Sequence, residues 1–236
     1  MIKRFIFLFC ILTSSHIYAQ KANPFGLAII NSVSDYEKSV AENPEKQLVE
    51  LKKYIPGIKL DIRYATKNNF ANIAVYKQAR AFARLPVAKA LKSVQAELNK
   101  SGLGLKIFDG YRPYSVTVKF FDIAADKNFV ANPKDGSRHN RGCAIDLTII
   151  NLKTGKDLNM PTPYDSFAAA ASPDYQNLSA DVIKNRDLLI NVMERNGFRV
   201  LDNEWWHFDF KGWKNFELMD IGFEELEREQ RIKSKE

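Results

Sequence analysis

The chain has 236 residues, a formal net charge of +7, and a composition that is 45% hydrophobic, 12% aromatic and 27% charged. That apolar content excludes a disordered chain, and about 200 residues suffice for one substantial core. The basic excess is spread along the sequence without a cluster interleaved with aromatics, so nucleic acid is not an expected partner, and no internal repeat is visible.

The N-terminus reads MIKRFIFLFCILTSSHIYAQ. Two basic residues precede an apolar run from Phe5 to Leu12, and small and polar residues follow up to Ala19, the layout of a secretory signal peptide. An N-terminal membrane anchor is the alternative, but the apolar run is too short to span. Phe9 before Cys10 fits poorly with a lipid-modified cysteine. The expectation is a signal peptide over 1–19 and one domain over 20–236: an exported protein, periplasmic or secreted, with no membrane contact after cleavage. Loss of Lys3 and Arg4 lowers the formal charge from +7 to +5. Cys143 is then the only cysteine, so an internal disulfide is excluded although the compartment permits one.

Further along, IKLDIRYA (58–65) alternates in the manner of a strand. Pro86 opens a helix with an apolar stripe of Val87, Leu91, Val94 and Leu98, closed by Gly102. LKIFDG (105–110) reads as a short strand leading into YRP and a helix near 115–124. CAIDLTII (143–150) is β-branched and alternating. Residues 151–178 are rich in Pro, Ser, Asn and Ala and read as a long excursion. Ser179 caps a third helix that ends at Gly197. FRVLDNEWWHFDF (198–210) is the last strand, and EELEREQRIKSKE (224–236) is a charged helix or solvated tail. Helices and strands come in separate runs, which predicts a single α+β domain with a largely antiparallel sheet flanked by helices.

The chemistry lies in its three histidines, His16, His139 and His207. His16 leaves with the signal peptide. In a strand over 143–150, Asp146 shares a face with Ala144, Thr148 and Ile150, and the small Ala144 leaves room beside it. Gly142 lets the chain turn so that His139 folds back over that face. His207 lies in the strand-like EWWHFDF. His139, Asp146 and His207 are N and O ligands of the kind that hold one catalytic zinc on a sheet face with a position open for water, and Glu204 is placed to act on that water. The plain alternatives are satisfied core histidines and an Asp146 paired with Arg141. Against them, each remaining histidine falls inside one of the two segments, and composition gives no reason for that.

These segments resemble the zinc D-alanyl-D-alanine dipeptidases, the family that includes the vancomycin-resistance dipeptidase. SRHNRGCAIDLT is similar to its S-x-H-x-x-G-x-A-x-D segment and EWWH to its E-x-W-H segment. The likeness continues through DIRYATKNNF (61–70), DGYRP (109–113), MPTPYDSF (160–167) and NRDLLINVMERNGF (185–198), in the family's order, from about residue 50 to 210. Two departures stand out: Ala71-Asn72 and Pro161 occupy places where the family usually has glycine. Asn72 tolerates a left-handed backbone, whereas Pro161 threatens to reshape the loop carrying Asp165.

The resemblance implies one zinc per chain on His139, Asp146 and His207, with Glu204 as general base. Arg112, at a strand end before Pro113, is the natural partner for the oxyanion, its structural alternative being a pair with Asp109 or Asp61. The resemblance points to Asp165 for the ammonium of a small D-amino-acid dipeptide and to Ser137 for its carboxylate. Their plain alternatives are a turn cap after Pro163 and a loop cap. Tyr64, Tyr76 and Tyr111 are candidates for lining the pocket, or else core; Cys143 faces away from Asp146. The implied reaction is hydrolysis of D-Ala-D-Ala. A D,D-carboxypeptidase acting on peptidoglycan stem peptides is the first rival, and a non-catalytic zinc-stabilised wall-binding module the second. The oligomeric state is not legible.

Overall fold

The computed structural model describes residues 25–227; the expected signal peptide lies outside them. Among the described residues no helix is long and apolar enough to cross a membrane. The strands are β1 (Ile29–Ile30), β2 (Leu48–Glu50), β3 (Lys59–Leu60), β4 (Phe82–Arg84), β5 (Leu103–Asp109), β6 (Ala144–Asn151), β7 (Phe198–Leu201), β8 (Glu204–Phe210) and β9 (Leu218–Met219). The helices are α1 (Val33–Glu42), α2 (Leu51–Tyr54), α3 (Leu85–Asn99), α4 (Tyr114–Ile123) and α5 (Ala180–Arg195).

The main sheet has the order β3-β5-β6-β8-β7. Its β3–β5 pair is parallel and the others are antiparallel. The sheet is therefore mixed and largely antiparallel, and the α+β architecture is as the segment order predicted. Two-stranded pairs β1–β9 and β2–β4 lie outside it.

Amphipathic patterning decides which sheet face is covered. In α3, Val87, Leu91, Val94 and Leu98 are buried at helical spacing, and in α5 so are Leu189, Val192 and Met193. These helices pack on β5, β7 and β8 and touch each other. Ile145, Leu147 and Ile149 of β6 join the same core, and the period of two turns Asp146 and Thr148 to the other face. The candidate chemistry is thus held on the face away from α3 and α5.

Three sequence expectations change. The strand expected over 58–65 shrinks to β3, because the chain turns into a 3₁₀ segment at Arg63–Ala65. The single strand expected over 198–210 is a hairpin, β7 and β8, reversing at Asp202-Asn203. Ser179 precedes α5 but makes no side-chain capping bond. Asn72 does sit in the left-handed region, with φ of 54°.

Candidate metal centre and active-site cleft

Strand pairing brings Asp146 opposite His207, so the central β6 and its neighbour β8 supply two of the three expected ligands from adjacent positions on one face. His139 comes from a 3₁₀ turn, His139–Arg141, ended by Gly142 at φ 68°. A side chain at Gly142 would also meet Leu48 within 2.8 Å, so the tight reversal that folds His139 back depends on glycine there. All three residues are buried.

Their ligand atoms converge. His207 Nδ1 lies 3.0 Å from Asp146 Oδ1, His139 Nε2 lies 3.4 Å from the same oxygen, and the two nitrogens are 3.2 Å apart. Tetrahedral ligands about 2.0–2.1 Å from a zinc ion stand about 3.3 Å from one another. Asp146 Oδ1 is buried without a hydrogen-bond partner. An orphaned carboxylate oxygen facing two imidazole nitrogens at that spacing fits one zinc ion.

The outer atoms of each ligand are tied down. His139 Nδ1 donates to the Gly110 carbonyl at 2.8 Å, and Asp209 Oδ1 accepts from His207 Nε2 at 3.0 Å. Each bond puts the proton on the far nitrogen and leaves the near one free to ligate. Gly110 is needed for the first: a Cβ there would come within 2.6 Å of the Phe82 carbonyl. The Tyr164 hydroxyl donates to Asp146 Oδ2 at 2.9 Å. Burial opposes charge on His207, yet the neighbouring carboxylates of Asp146 and Asp209 push its pKa up to about 10. The cluster demands a cation.

A titration follows from that sign. Without zinc, His207 stays protonated at neutral pH and must lose its proton before it can ligate. Apparent zinc affinity is therefore expected to rise with pH, about tenfold per unit for each proton released, and to collapse in His139→Ala or His207→Ala. Zinc titrations at pH 6 and 8 and metal analysis of the variants check this; a pH-independent affinity, or stoichiometric metal in either variant, contradicts it.

The centre floors a cleft of about 920 Å³, counting the solvent in its mouth. Glu204, Arg112, Asp165 and Ser137 all line it. Glu204 and His207 are three apart in β8, which strict alternation would send to opposite faces. The pairing with β7 slips between Val200 and Leu201, and this irregularity lets both reach the cleft. Glu204 Oε2 is 3.9 Å from His207 Nδ1, outside the spacing of the ligand atoms, and burial raises its pKa.

A second irregularity, between Ile107 and Asp109, sets Asp109 opposite Asp146. Arg112 bridges these carboxylates: Nε and Nη2 lie 2.9 and 2.8 Å from Asp109 Oδ2, and Nη2 is 3.8 Å from Asp146 Oδ2. The pairing with Asp109 weighed as the structural alternative is present, and Arg112 faces the cleft as well; Asp61 pairs with Arg63 instead. Asp165 has φ of 61°, accepts from the Tyr64 hydroxyl at 3.0 Å and from the Phe70 amide at 3.4 Å, and is pushed up to a pKa of about 7 by burial and by Asp146. Pro161 thus leaves Asp165 in the cleft. Ser137 Oγ accepts from the His139 amide at 3.2 Å.

Tyr111 is a correction. It does not line the cleft: its hydroxyl donates to the Ile221 carbonyl at 3.0 Å and accepts from the Ile221 amide at 2.9 Å, and the residue is wholly buried. Past Asp109 the chain leaves the sheet, and Tyr111 points into the C-terminal segment. Tyr76 is also off the cleft, its hydroxyl donating to Asp109 Oδ1 at 2.9 Å, whereas Tyr64 lines it. Tyr164 and Asp209 serve the site without having been expected from the sequence, and Asp109 supports it beyond its pairing with Arg112. Only Asp209 carries a periodic signal, two residues from His207 on the same strand face.

A buried His-Asp-His set with an adjacent, partly buried glutamate, open to a cleft, is the arrangement of a zinc-dependent hydrolase. Comparison narrows the class. The family profile Peptidase_M15, described as D-ala-D-ala dipeptidase, matches residues 44–220. A D-alanyl-D-alanine dipeptidase of Escherichia coli is 30% identical over 173 residues, covering 73% of this chain and 89% of that protein. One from Enterococcus faecalis is 30% identical over 187 residues, covering 70% and 91%, and one from Streptomyces coelicolor is 27% identical over 183 residues, covering 66% and 88%. The chain belongs to this peptidase family and is a zinc peptidase.

Proposed function

We propose that the protein hydrolyses the free dipeptide D-Ala-D-Ala, as an exported enzyme of the periplasm or the cell's surroundings, in the metabolism of cell-wall peptides. The observation that carries this reading is the pairing, in one cleft, of the metal centre with a partly buried carboxylate, Asp165, to which no cationic side chain is bonded among the described residues. A free dipeptide brings an ammonium, which such a carboxylate can bind through a charge-assisted hydrogen bond. The family relationship supports the same substrate.

His139, Asp146 and His207 would hold one zinc ion, which supplies Lewis acidity: it polarises a carbonyl and makes water a better acid. Glu204 accepts the proton of the attacking water and delivers it to the departing amine, and its raised pKa suits both transfers. Arg112 sets a fixed positive charge at the cleft floor, where negative charge grows on the carbonyl oxygen. Ser137, on the cleft wall, takes the substrate carboxylate in this reading. Asp109 and Tyr76 hold Arg112 in position, and Asp209 does the same for His207.

The test is D-alanine release by the purified, zinc-loaded protein from D-Ala-D-Ala and from a stem pentapeptide ending in D-Ala-D-Ala. Fast cleavage of the dipeptide and slow cleavage of the pentapeptide is the expected outcome. Comparable rates on both would replace this reading with the D,D-carboxypeptidase, and no release from either would favour the non-catalytic module.

A further inference from the structure

The cleft contains a second arginine that the reaction so far leaves unused. Arg138 stands between Ser137 and the ligand His139, lines the cleft, and keeps 45% of its side chain exposed. Its nearest anion is Asp209, with Nε 3.4 Å from Oδ2, and its guanidinium carbon sits 5.0 Å from the Trp213 ring centroid. Asp209 is already engaged through its other oxygen by His207.

Arg112 and Arg138 are the two cationic side chains, other than histidine, among the described residues lining the cleft. They differ in availability. Arg112 has both Nε and Nη2 on Asp109 and is buried. Arg138 comes closest to Asp209 through Nε, and among the described residues its terminal fork, the part of a guanidinium that matches a carboxylate, makes no hydrogen bond while the side chain stays 45% exposed.

Position on the sheet supplies the second constraint. Asp165 bonds to Tyr64 and Phe70, in the chain that follows β3, and its neighbour Tyr164 stacks on Phe108 of β5 at a centroid distance of 4.6 Å. Arg138 faces Asp209 of β8. In the order β3-β5-β6-β8-β7 these lie on opposite sides of Asp146 in β6. A zwitterion laid across the metal centre with its ammonium at Asp165 carries its carboxylate to the β8 side.

We infer that Arg138 is the specificity-determining residue for the substrate's C-terminal carboxylate, engaging it through the guanidinium fork with Ser137 beside it. The inference builds on the peptidase reading above, but it holds for a free dipeptide and for a longer peptide alike, since both end in a carboxylate.

Equilibrium binding to the zinc-loaded full-length Glu204→Gln protein tests it, using three probes: D-Ala-D-Ala, its C-terminal amide and its N-acetyl derivative. With Arg138 present, the amide is expected to bind about 10- to 100-fold more weakly than the free acid. Adding Arg138→Gln should bring that ratio to within about threefold while zinc stays stoichiometric. Arg138→Lys, a charge without the fork, should fall between the two. An unchanged acid-to-amide ratio in Arg138→Gln overturns the inference. So does loss of zinc in that variant, which would make Arg138 a support for Asp209 and His207. The N-acetyl probe keeps the two readings apart: if it binds as well as the free dipeptide, the ammonium site fails, and the acid-to-amide ratio still decides the role of Arg138.

Discussion

Replacing Glu204 by glutamine is expected to lower kcat by about two to four orders of magnitude with zinc retained. Glutamine keeps the shape and can still hydrogen-bond, but it cannot take up the proton of the attacking water. Geometry separates this role from metal binding. The three ligand atoms are 3.0 to 3.4 Å from one another, and Glu204 Oε2 is 3.9 Å from the nearest of the His207 nitrogens. Metal analysis beside kinetics reads the two effects separately. Loss of metal in Glu204→Gln would move Glu204 into the ligand set, and near-normal turnover would place the base elsewhere. Arg112→Ala carries a different signature: metal is kept and kcat falls, but Asp109 and Asp146 are left facing each other without the cation between them, so stability is expected to fall too.

The ligand set was legible because the sequence is economical with histidine. Only His139 and His207 lie beyond the first 19 residues, and the alternation of CAIDLTII alone turns Asp146 away from the apolar core. The glycine after the His139 turn was equally readable, since the reversal needs φ of 68° at Gly142. What alternation could not give were the two places where pairing slips. Between Ile107 and Asp109 the slip sends Asp109 to Asp146, and the chain beyond then carries Tyr111 into the C-terminal segment. Between Val200 and Leu201 it lets Glu204 reach the cleft with His207. Both depend on contacts between distant segments, as do β1 with β9 and β2 with β4, which no local pattern encodes. Family resemblance, not periodicity, led to Asp165, whose loop between β6 and α5 has almost no regular structure.

Asp165 carries the second large effect, discrimination by substrate length. N-acetylation of D-Ala-D-Ala removes the ammonium and leaves a partly buried carboxylate facing an uncharged amide. The expected result is at least a hundredfold lower kcat/KM, about 2.8 kcal/mol, within the about 1.5–3 kcal/mol typical of hydrogen bonds to charged groups. Asp165→Asn is the informative substitution, because asparagine tolerates the φ of 61° better than alanine does and keeps acceptor capacity for Tyr64 and Phe70. It should slow the free dipeptide far more than the acetylated one and narrow the gap between them. The pH dependence has a definite sign. Burial and Asp146 push the pKa of Asp165 up to about 7 in the absence of metal, so Asp165 gains its charge as pH rises and dipeptide kcat/KM should gain an acid limb that rises with pH. Bound zinc offsets the charge of Asp146 and moves that limb to lower pH, but its direction is unchanged. In Asp165→Asn the limb should vanish for the dipeptide, and for the acetylated substrate it should be absent in both proteins. A free-to-acetylated ratio near one in the parent, or the same ratio in parent and Asp165→Asn, would remove Asp165 from substrate recognition while leaving Glu204 and the metal centre in their roles.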